Sequence, residues 1–257
     1  MDLFVVVVCG VLGLLVGSFL NVVIWRVPRG ESIVQPPSAC PSCHRQLTPV
    51  DLVPVVSWLA LRGKCRTCKA SISARYPVVE ALTGVLFVLV AWRFVGSWAV
   101  PAYLAFTAFL VALSGIDLDT YKLPRKIIYL GGVVGVALLG LATWLDDLGW
   151  DPLWKAALGA VVAFAFFLAL HLISPRSMGF GDVRLSAYLG WHLGWLGFLH
   201  VPAGLFLGFV YGAVVGVALM AVKKAGRKTA IPFGPFMAAG ALTAVLVGRE
   251  IVEIWTV

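Results

Sequence analysis

Aspartate side chains stand at the ends of two apolar runs of this sequence. Asp117 and Asp119 close one run, and Asp182 opens another directly after Gly179-Phe-Gly181. Acidic groups in membrane segments are costly, and the chain has only 12 acids, so their placement indicates function. Two carboxyl groups within hydrogen-bonding reach share a proton and provide an acid and a base together. The pattern predicts an aspartic peptidase, in which one carboxylate activates water and its protonated partner binds the peptide carbonyl.

Either Asp117 or Asp119 could be the partner of Asp182. We predict Asp117 as the partner of Asp182 because it lies nearer the apolar run, which leaves Asp119 as a solvated cap or a supporting group. Gly179 and Gly181 are expected to support the site through positive φ angles and close backbone approach. The alternative is that Asp182 only caps a helix and that a Gly-x-Gly-Asp match of four residues arises by chance.

Four of the five cysteines form two C-x-x-C pairs, Cys40 with Cys43 and Cys65 with Cys68. The spacing between the pairs is close to that of zinc ribbons, and two such turns can build a closed tetrahedral sulfur site. We predict a structural zinc ion that supplies folding energy to a segment with little apolar surface. Reduced structural cysteines, or disulfides if the segment lies outside the cell, are the alternatives. Cys9 lies in an apolar run and is expected to be a packing residue.

Membrane spans must position these groups, because 61% of the residues are hydrophobic and only 12% are charged. A span needs about 20 apolar residues. We predict an all-α membrane protein, a polytopic bundle of about eight transmembrane helices with a small cytoplasmic zinc-ribbon-like insert. The apolar runs are Leu3–Trp25, Val78–Phe94, Pro101–Ile116, Ile127–Leu145, Leu153–Ile173, Val183–Phe198, Val201–Val222 and Ile231–Val247.

Charge placement predicts the orientation of the chain. Seventeen of the 20 Lys and Arg residues fall in alternate loops, beginning with the loop after the first run. Short loops rich in Lys and Arg mark the cytoplasmic side, so both termini are expected outside. The net charge of +8 then reflects topology and attraction to lipid headgroups, and we expect no nucleic-acid partner. The predicted division is a first helix at 1–25, a four-cysteine insert at 26–77 and a seven-helix peptidase domain at 78–257.

Small and polar residues in the runs are expected to serve helix packing. Gly13 and Gly17 form a small-xxx-small face, and Asn21 should bond a neighbouring helix there. His192 is isolated from other polar motifs and is interpreted as a packing or interface residue.

The motifs occur in the order found in type IV prepilin peptidases of the bacterial inner membrane, which the chain resembles over nearly its full length. The matching segments are Gly17–Asn21 with Arg26–Pro28, the two C-x-x-C pairs, Ser73–Glu80, Ile116–Asp119, Gly179–Asp182 and Ile231–Pro235. The resemblance implies that Asp117 and Asp182 are catalytic. It also implies prepilin and pseudopilin substrates, cleaved on the cytoplasmic side after a Gly and typically before a Phe.

Many members of this family also methylate the new N-terminus with S-adenosylmethionine, an activity assigned to the cytoplasmic insert and its flanks. Glu80 matches a glutamate of that region; without the resemblance, it is interpreted as a charge favoured near a helix N-terminus. The chain shows no Gly-x-Gly-x-x-Gly turn after a strand, so the methylation prediction rests on resemblance alone. It also departs from the family by having Leu-Pro-Arg125 where Leu-Pro-Asp is usual.

Two rival functions account for parts of the same pattern. A presenilin-like or signal-peptide-peptidase-like protease would share Gly-x-Gly-Asp, but it leaves the cysteine insert unexplained. A transporter or a zinc-stabilised assembly protein could use membrane acids to relay protons or bind ions.

Overall fold

The structure is a computed structural model that describes residues 2–175, 178–222 and 231–255, with side chains described up to residue 248. Its elements in this part of the chain are helices, without a β-strand beyond two isolated bridges. They are α1 (Asp2–Arg26), α2 (Val56–Ala60), α3 (Arg75–Arg93), α4 (Val100–Thr120), α5 (Arg125–Leu145), α6 (Asp151–Ile173), α7 (Phe180–Leu196), α8 (His200–Ala221) and α9 (Gly234–Trp255). Each predicted apolar run corresponds to one of the long helices, so the all-α prediction is confirmed.

Six of the described helices are long and apolar enough to cross a membrane: α1, α3, α4, α5, α6 and α8. The helix α7 has 17 residues, and the apolar part of α9 covers Gly234–Gly248, with non-helical angles at Val247. The chain is therefore a multi-pass membrane protein. The number of eight spans stays a prediction.

Helix boundaries follow local backbone chemistry near the aspartates. The helix α4 ends at Thr120 because Tyr121 adopts a left-handed conformation (φ 54°) and donates its N–H to the carbonyl of Asp117. Pro124 follows as the extended residue before α5, consistent with the restriction that proline places on helix continuation. Asp117 therefore lies in the last turn of α4. Asp182 lies in the first turn of α7.

The chain divides into two compact units, 1–95 and 96–257. In the first unit, α1 packs closely on α3. A Cβ atom at Gly17 would lie 2.7 Å from the Cα atom of Glu80, and one at Gly13 would lie 2.9 Å from the Cα atom of Gly84. The Asn21 amide donates to the carbonyl oxygens of Gly17 and Tyr76 at 3.3 and 3.2 Å. These contacts confirm the predicted small-residue face and the predicted role of Asn21.

In the second unit, α6 and α7 approach at glycine contacts, with Gly190 set against the carbonyl of Gly159. An aromatic cluster fills the core beside α7. His192 is fully buried, stacks on Phe106 with ring centroids 4.2 Å apart, and accepts the Tyr103 hydroxyl at its backbone carbonyl at 2.8 Å. The predicted packing role of His192 is confirmed, and the cluster holds α7 against α4.

Candidate active site and metal centre

Asp117 is a buried carboxylate with one backbone donor. Its side chain sits in the last turn of α4, and the residue is 5% exposed. The N–H of Gly234 donates to Oδ2 of Asp117 at 3.0 Å. Because Gly234 is the first residue of α9, this N–H is one of those that a helix leaves without an internal partner. The positive end of the α9 dipole thus faces the carboxylate, which favours negative charge there.

A side chain at position 234 would collide with the Asp117 carboxylate. A Cβ atom there would lie 2.8 Å from Oδ2 of Asp117 and 3.3 Å from Cδ2 of Leu123. The first distance is shorter than real Cβ contacts, so a side chain there would force the Asp117 carboxylate and the start of α9 apart. Gly234 is a functional candidate that our sequence analysis did not single out. The signal was present in Ile231–Pro235, where glycine stands between two prolines that limit helix starts.

Asp182 lies half-buried at the start of α7. Its carboxylate accepts a hydrogen bond from the backbone N–H of Gly179, and the charge of Asp117 acts on it electrostatically. Leu123 links the two acids, because it packs on Gly234 and would lie 3.0 Å from a Cβ atom at Gly181. The structure therefore brings Asp117 and Asp182 into one site around the α4–α5 loop.

The prediction of positive φ angles for the glycines before Asp182 is wrong. Gly179 is extended, with φ −71° and ψ 147°, and Gly181 lies within α7 without a left-handed conformation. The close approach expected of them is real, since Gly181 faces Leu123 and a Cβ atom at Gly179 would touch Oδ2 of Asp182 at 3.4 Å. These glycines are needed because they have no Cβ atom, and not because they adopt a left-handed backbone conformation.

The neighbouring polar residues lie outside this pairing. Asp119 is exposed on α4, two residues from Asp117 and so about 200° away around the helix. Arg125, which stands where the family usually has aspartate, is the exposed first residue of α5. The substitution thus falls at a helix start that Pro124 already defines.

The four paired cysteines converge in the insert. Their sulfur atoms all lie within 4.8 Å of one another, and the Sγ atoms of Cys40 and Cys68 are 3.8 Å apart. A tetrahedral zinc site with Zn–S bonds of about 2.3 Å has sulfur atoms about 3.8 Å apart. The residues present therefore fit a zinc ion with little rearrangement.

The two C-x-x-C turns have the same backbone structure. Cys40 donates its N–H to the carbonyl of Arg45, and Cys65 does the same to Ala70. Each turn is closed by an antiparallel bridge, Ala39 with Gln46 and Lys64 with Ser71. In both turns the bridge joins the residue before the first cysteine to the residue six positions after that cysteine.

Backbone donors prepare the first sulfur of each turn as a ligand. The N–H groups of Cys68 and Thr67 lower the pKa of the Cys65 thiol to about 6. Those of Cys43 and Ser42 likewise lower the pKa of the Cys40 thiol. Because metals bind the thiolate, a lowered pKa favours metal binding near neutral pH.

Asp51 joins the two turns from outside the cluster. Its carboxylate accepts a hydrogen bond from Nε of Arg66 at 2.7 Å and lies 3.4 Å from the guanidinium of Arg45. The Arg45 guanidinium also donates a hydrogen bond to the Thr67 hydroxyl at 2.6 Å. Arg66, followed by Thr48, holds the pKa of Asp51 at about 2. Sequence analysis missed this residue, although Thr48-Pro-Val-Asp51 has the spacing of a capping box, which the structure contains.

Glu80 is buried in α3, 8% exposed. Its Oε2 atom accepts the N–H of Val55 at 2.7 Å. Val55 has a φ angle of 60°, a conformation that is rare for a β-branched residue. The carboxylate of Glu80 thus fixes an unusual backbone turn of the insert onto α3.

Comparisons with known proteins agree with this arrangement. Residues 11–94 match the model of the bacterial peptidase A24 N-terminal domain, and residues 104–217 match the type IV leader peptidase family. The first match contains the cysteine insert and Glu80, and the second contains both aspartates. The chain belongs to the type IV leader peptidase family.

Its curated relatives carry a more specific name. A prepilin leader peptidase/N-methyltransferase of Stutzerimonas stutzeri is 38% identical over 94% of this chain and 90% of its own length. Proteins of the same name from Neisseria gonorrhoeae and Pseudomonas aeruginosa are 39% and 36% identical over 90% and 97% of this chain, and over 87% and 93% of their own lengths. No solved structure matches the chain.

Replacing Gly234 by Ala tests the contact at Asp117. The new methyl group would force the Asp117 carboxylate and the α9 N-terminus apart, so we expect the cleavage rate to fall by about tenfold to 100-fold, the cost of a misplacement near 1 Å. The measurement is the turnover of purified enzyme in detergent. Gly140→Ala is the matched control, because a Cβ atom at Gly140 would meet nothing within 4 Å. Full activity in Gly234→Ala would contradict the assigned contact.

Proposed function

We propose that this protein is an intramembrane aspartic endopeptidase that removes the leader from type IV prepilins and then methylates the new N-terminus. Family membership and the curated relatives support both activities. The single observation that carries the peptidase assignment is the meeting of Asp117 and Asp182 around Leu123. The match across both halves of the chain favours this function over a presenilin-like protease, a transporter or an assembly protein.

In the proposed mechanism, Asp117 and Asp182 hold one proton between them. The ionised member takes a proton from a water molecule, which attacks the scissile carbonyl, while the protonated member donates a hydrogen bond to the carbonyl oxygen. The proton held by the pair then passes to the leaving amine. Neutral backbone donors at Gly234 and Gly179 orient the carboxylates without neutralising them.

The proposed orientation places this site at the cytoplasmic side of the inner membrane. The basic loop that includes Lys122 and Arg125 follows α4 directly, and loops of this kind stay in the cytoplasm. Both termini would then lie outside. Substrates cleaved at this depth are prepilins and pseudopilins whose leader is cytoplasmic, cut after Gly and before Phe.

We propose that Cys40, Cys43, Cys65 and Cys68 hold a structural zinc ion, which stabilises the insert and performs no chemistry. The spacing of the sulfurs and the lowered pKa of Cys65 support this. Residues 1–25, 26–77 and 78–257 would then act as a first helix, a zinc-binding methylation segment and a peptidase domain.

Methylation is proposed for the same insert. We propose S-adenosylmethionine as the methyl donor. We propose that Glu80 contributes by holding the Val55 turn of the insert in place, since its Oε2 atom is already engaged there. This makes Glu80 a positioning residue of the methylation segment.

Asn substitutions at the two aspartates test the peptidase assignment. Asp117→Asn and Asp182→Asn each keep the side-chain shape but cannot share the proton, so we expect cleavage to fall by at least about 100-fold. The measurement is the mass shift of a co-expressed prepilin. Asp119→Asn is the control on the same turn, exposed and expected to retain the activity of the wild type. A wild-type level of mature pilin from either of the first two variants would refute the pairing.

Metal analysis tests the zinc site. We expect one zinc per chain by elemental analysis, lost in Cys65→Ser because three sulfurs cannot close the tetrahedron. Cys9→Ser is the matched control, since Cys9 lies in α1 outside the cluster. A wild-type protein without metal would end the proposal.

Substitution of Glu80 tests its link to methylation. Glu80→Ala removes the acceptor for the Val55 N–H and should abolish N-methylation while leaving cleavage intact. Glu80→Gln keeps an acceptor oxygen and should retain methylation in large part. Mass spectrometry of the pilin N-terminus measures both outcomes. A fully methylated product from Glu80→Ala would contradict the role.

A further inference from the structure

His171, in the last turn of α6, forms a hydrogen bond with the loop that precedes Asp182. Its Nδ1 atom lies 2.9 Å from the carbonyl oxygen of Met178. Because a carbonyl oxygen can only accept, Nδ1 carries the proton in this bond. A histidine at a helix end can bond the last carbonyl groups of its own helix. The acceptor here instead lies beyond α6, which ends at Ile173, so the bond connects α6 to the loop before α7.

The Met178 carbonyl belongs to the same peptide group as the Gly179 N–H, which donates to the Asp182 carboxylate. This peptide bond is trans and planar, so its C=O and N–H point in opposite directions. His171 therefore bonds one side of the peptide group and Asp182 bonds the other. A hydrogen bond at the carbonyl also polarises the N–H and strengthens the bond that the N–H donates. One peptide group thus connects His171 to the Asp182 carboxylate.

The turn between Gly179 and Asp182 is closed by a second hydrogen bond. The Gly179 carbonyl accepts the backbone N–H of Asp182 at 3.1 Å. A Cβ atom at Gly179 would lie 3.4 Å from Oδ2 of Asp182, so the carboxylate folds back over the glycine. The bond from His171 attaches this closed turn to α6.

Aromatic contacts orient the His171 ring. The rings of His171 and Phe180 meet edge to face, with centroids 5.5 Å apart and an interplanar angle of 70°. On Phe180, the Arg184 guanidinium lies 4.6 Å from the ring centroid. Because Phe180 lies in the first turn of α7 with Asp182, the helix that carries the carboxylate also holds the imidazole.

We propose that His171 is a positioning residue of the peptidase site, which holds the Met178–Gly179 peptide group so that the Gly179 N–H points at the Asp182 carboxylate. This inference rests on the proposed peptidase function and adds the end of α6 to the helix ends that build the site. His171 acts through the peptide group and not on the substrate.

Three substitutions of His171 separate its N–H from its bulk. His171→Phe keeps a ring against Phe180 but removes the donor, so we expect kcat for prepilin cleavage to fall by about tenfold with KM within about twofold, because orientation is lost and not substrate binding. His171→Asn has an N–H on an atom bonded to Cγ, as Nδ1 is, and should recover most of kcat. His171→Gln places its N–H one bond farther out and should resemble His171→Phe. Because Gln is the better helix former, a purely stabilising role predicts the opposite order of Asn and Gln.

Leu172→Phe is the matched control for these variants. It places the same ring at the next position of the turn, where Leu172 is 69% exposed, and should leave kcat unchanged. Wild-type kcat in His171→Phe would overturn the proposal. Equal rates for the Asn and Gln variants, or a change in KM alone, would also overturn it.

Nuclear magnetic resonance can observe the connecting peptide group directly, because Met178–Gly179 is the only Met–Gly pair in the sequence. Enzyme labelled with ¹³C-carbonyl methionine and ¹⁵N glycine gives one correlation, between the Met178 carbonyl carbon and the Gly179 N–H. We expect the carbonyl-carbon and amide-proton resonances to move upfield in His171→Phe, because the bond at the carbonyl is lost and the bond from the N–H weakens. Both should return towards their wild-type positions in His171→Asn.

Unchanged resonances in His171→Phe would overturn the positioning role. This measurement needs no substrate, so it is independent of the proposed peptidase function. If the wild-type enzyme cleaves no prepilin, the peptidase function fails, and the resonances alone decide the contact. If the wild-type enzyme cleaves prepilin and His171→Phe matches it, only the positioning proposal fails.

Discussion

The hydrogen bond from the Gly234 N–H to the Asp117 carboxylate constrains the rest of the second unit. A carboxylate buried at a membrane helix end costs several kcal/mol unless it is hydrogen-bonded, and an unpaired N–H at a helix start carries a cost of its own. The hydrogen bond between the Gly234 N–H and the Asp117 carboxylate, 3.0 Å from N to Oδ2, removes both costs. The contact fixes the end of α4 against the start of α9, and Leu123 extends it to Gly181 and the start of α7. Three helix ends therefore meet where the carboxyl groups lie.

Much of this arrangement could be predicted from sequence, because the relevant signals are local. Apolar length gives the helices, and the position of Asp117 at the end of an apolar run places it in the last turn of α4. The role of Gly234 could not be predicted, since it depends on a contact between residues 117 positions apart. The error at Gly179 and Gly181 has a related cause. Glycine signals either a positive φ angle or a missing Cβ atom, and sequence does not say which of these the neighbours require.

The insert shows the same division between local and distant information. Each C-x-x-C spacing determines its own turn, so the two turns fold alike and the cluster of four sulfur atoms can be predicted from sequence. The role of Asp51 could not be predicted in this way, because Asp51 connects Arg45 of one turn to Arg66 of the other. That ion-pair bridge connects the two turns. Since the insert has little apolar core, we propose that the ion-pair network and the zinc ion stabilise it together.

The aspartates of this chain differ in the groups that donate hydrogen bonds to them, and this difference corresponds to their structural or proposed catalytic roles. Asp51, outside the membrane helices, is bridged by two guanidinium groups, and its pKa of about 2 keeps it ionised at any physiological pH. Asp117 and Asp182 accept backbone N–H groups instead. A neutral donor orients a carboxylate without cancelling its charge, so the proposed pair of carboxyl groups can still share a proton. An arginine in place of the Gly234 N–H would stabilise Asp117 as an anion and abolish that sharing. Backbone donors at helix ends are therefore the means by which a membrane site can bury two acids and keep one of them able to give up its proton.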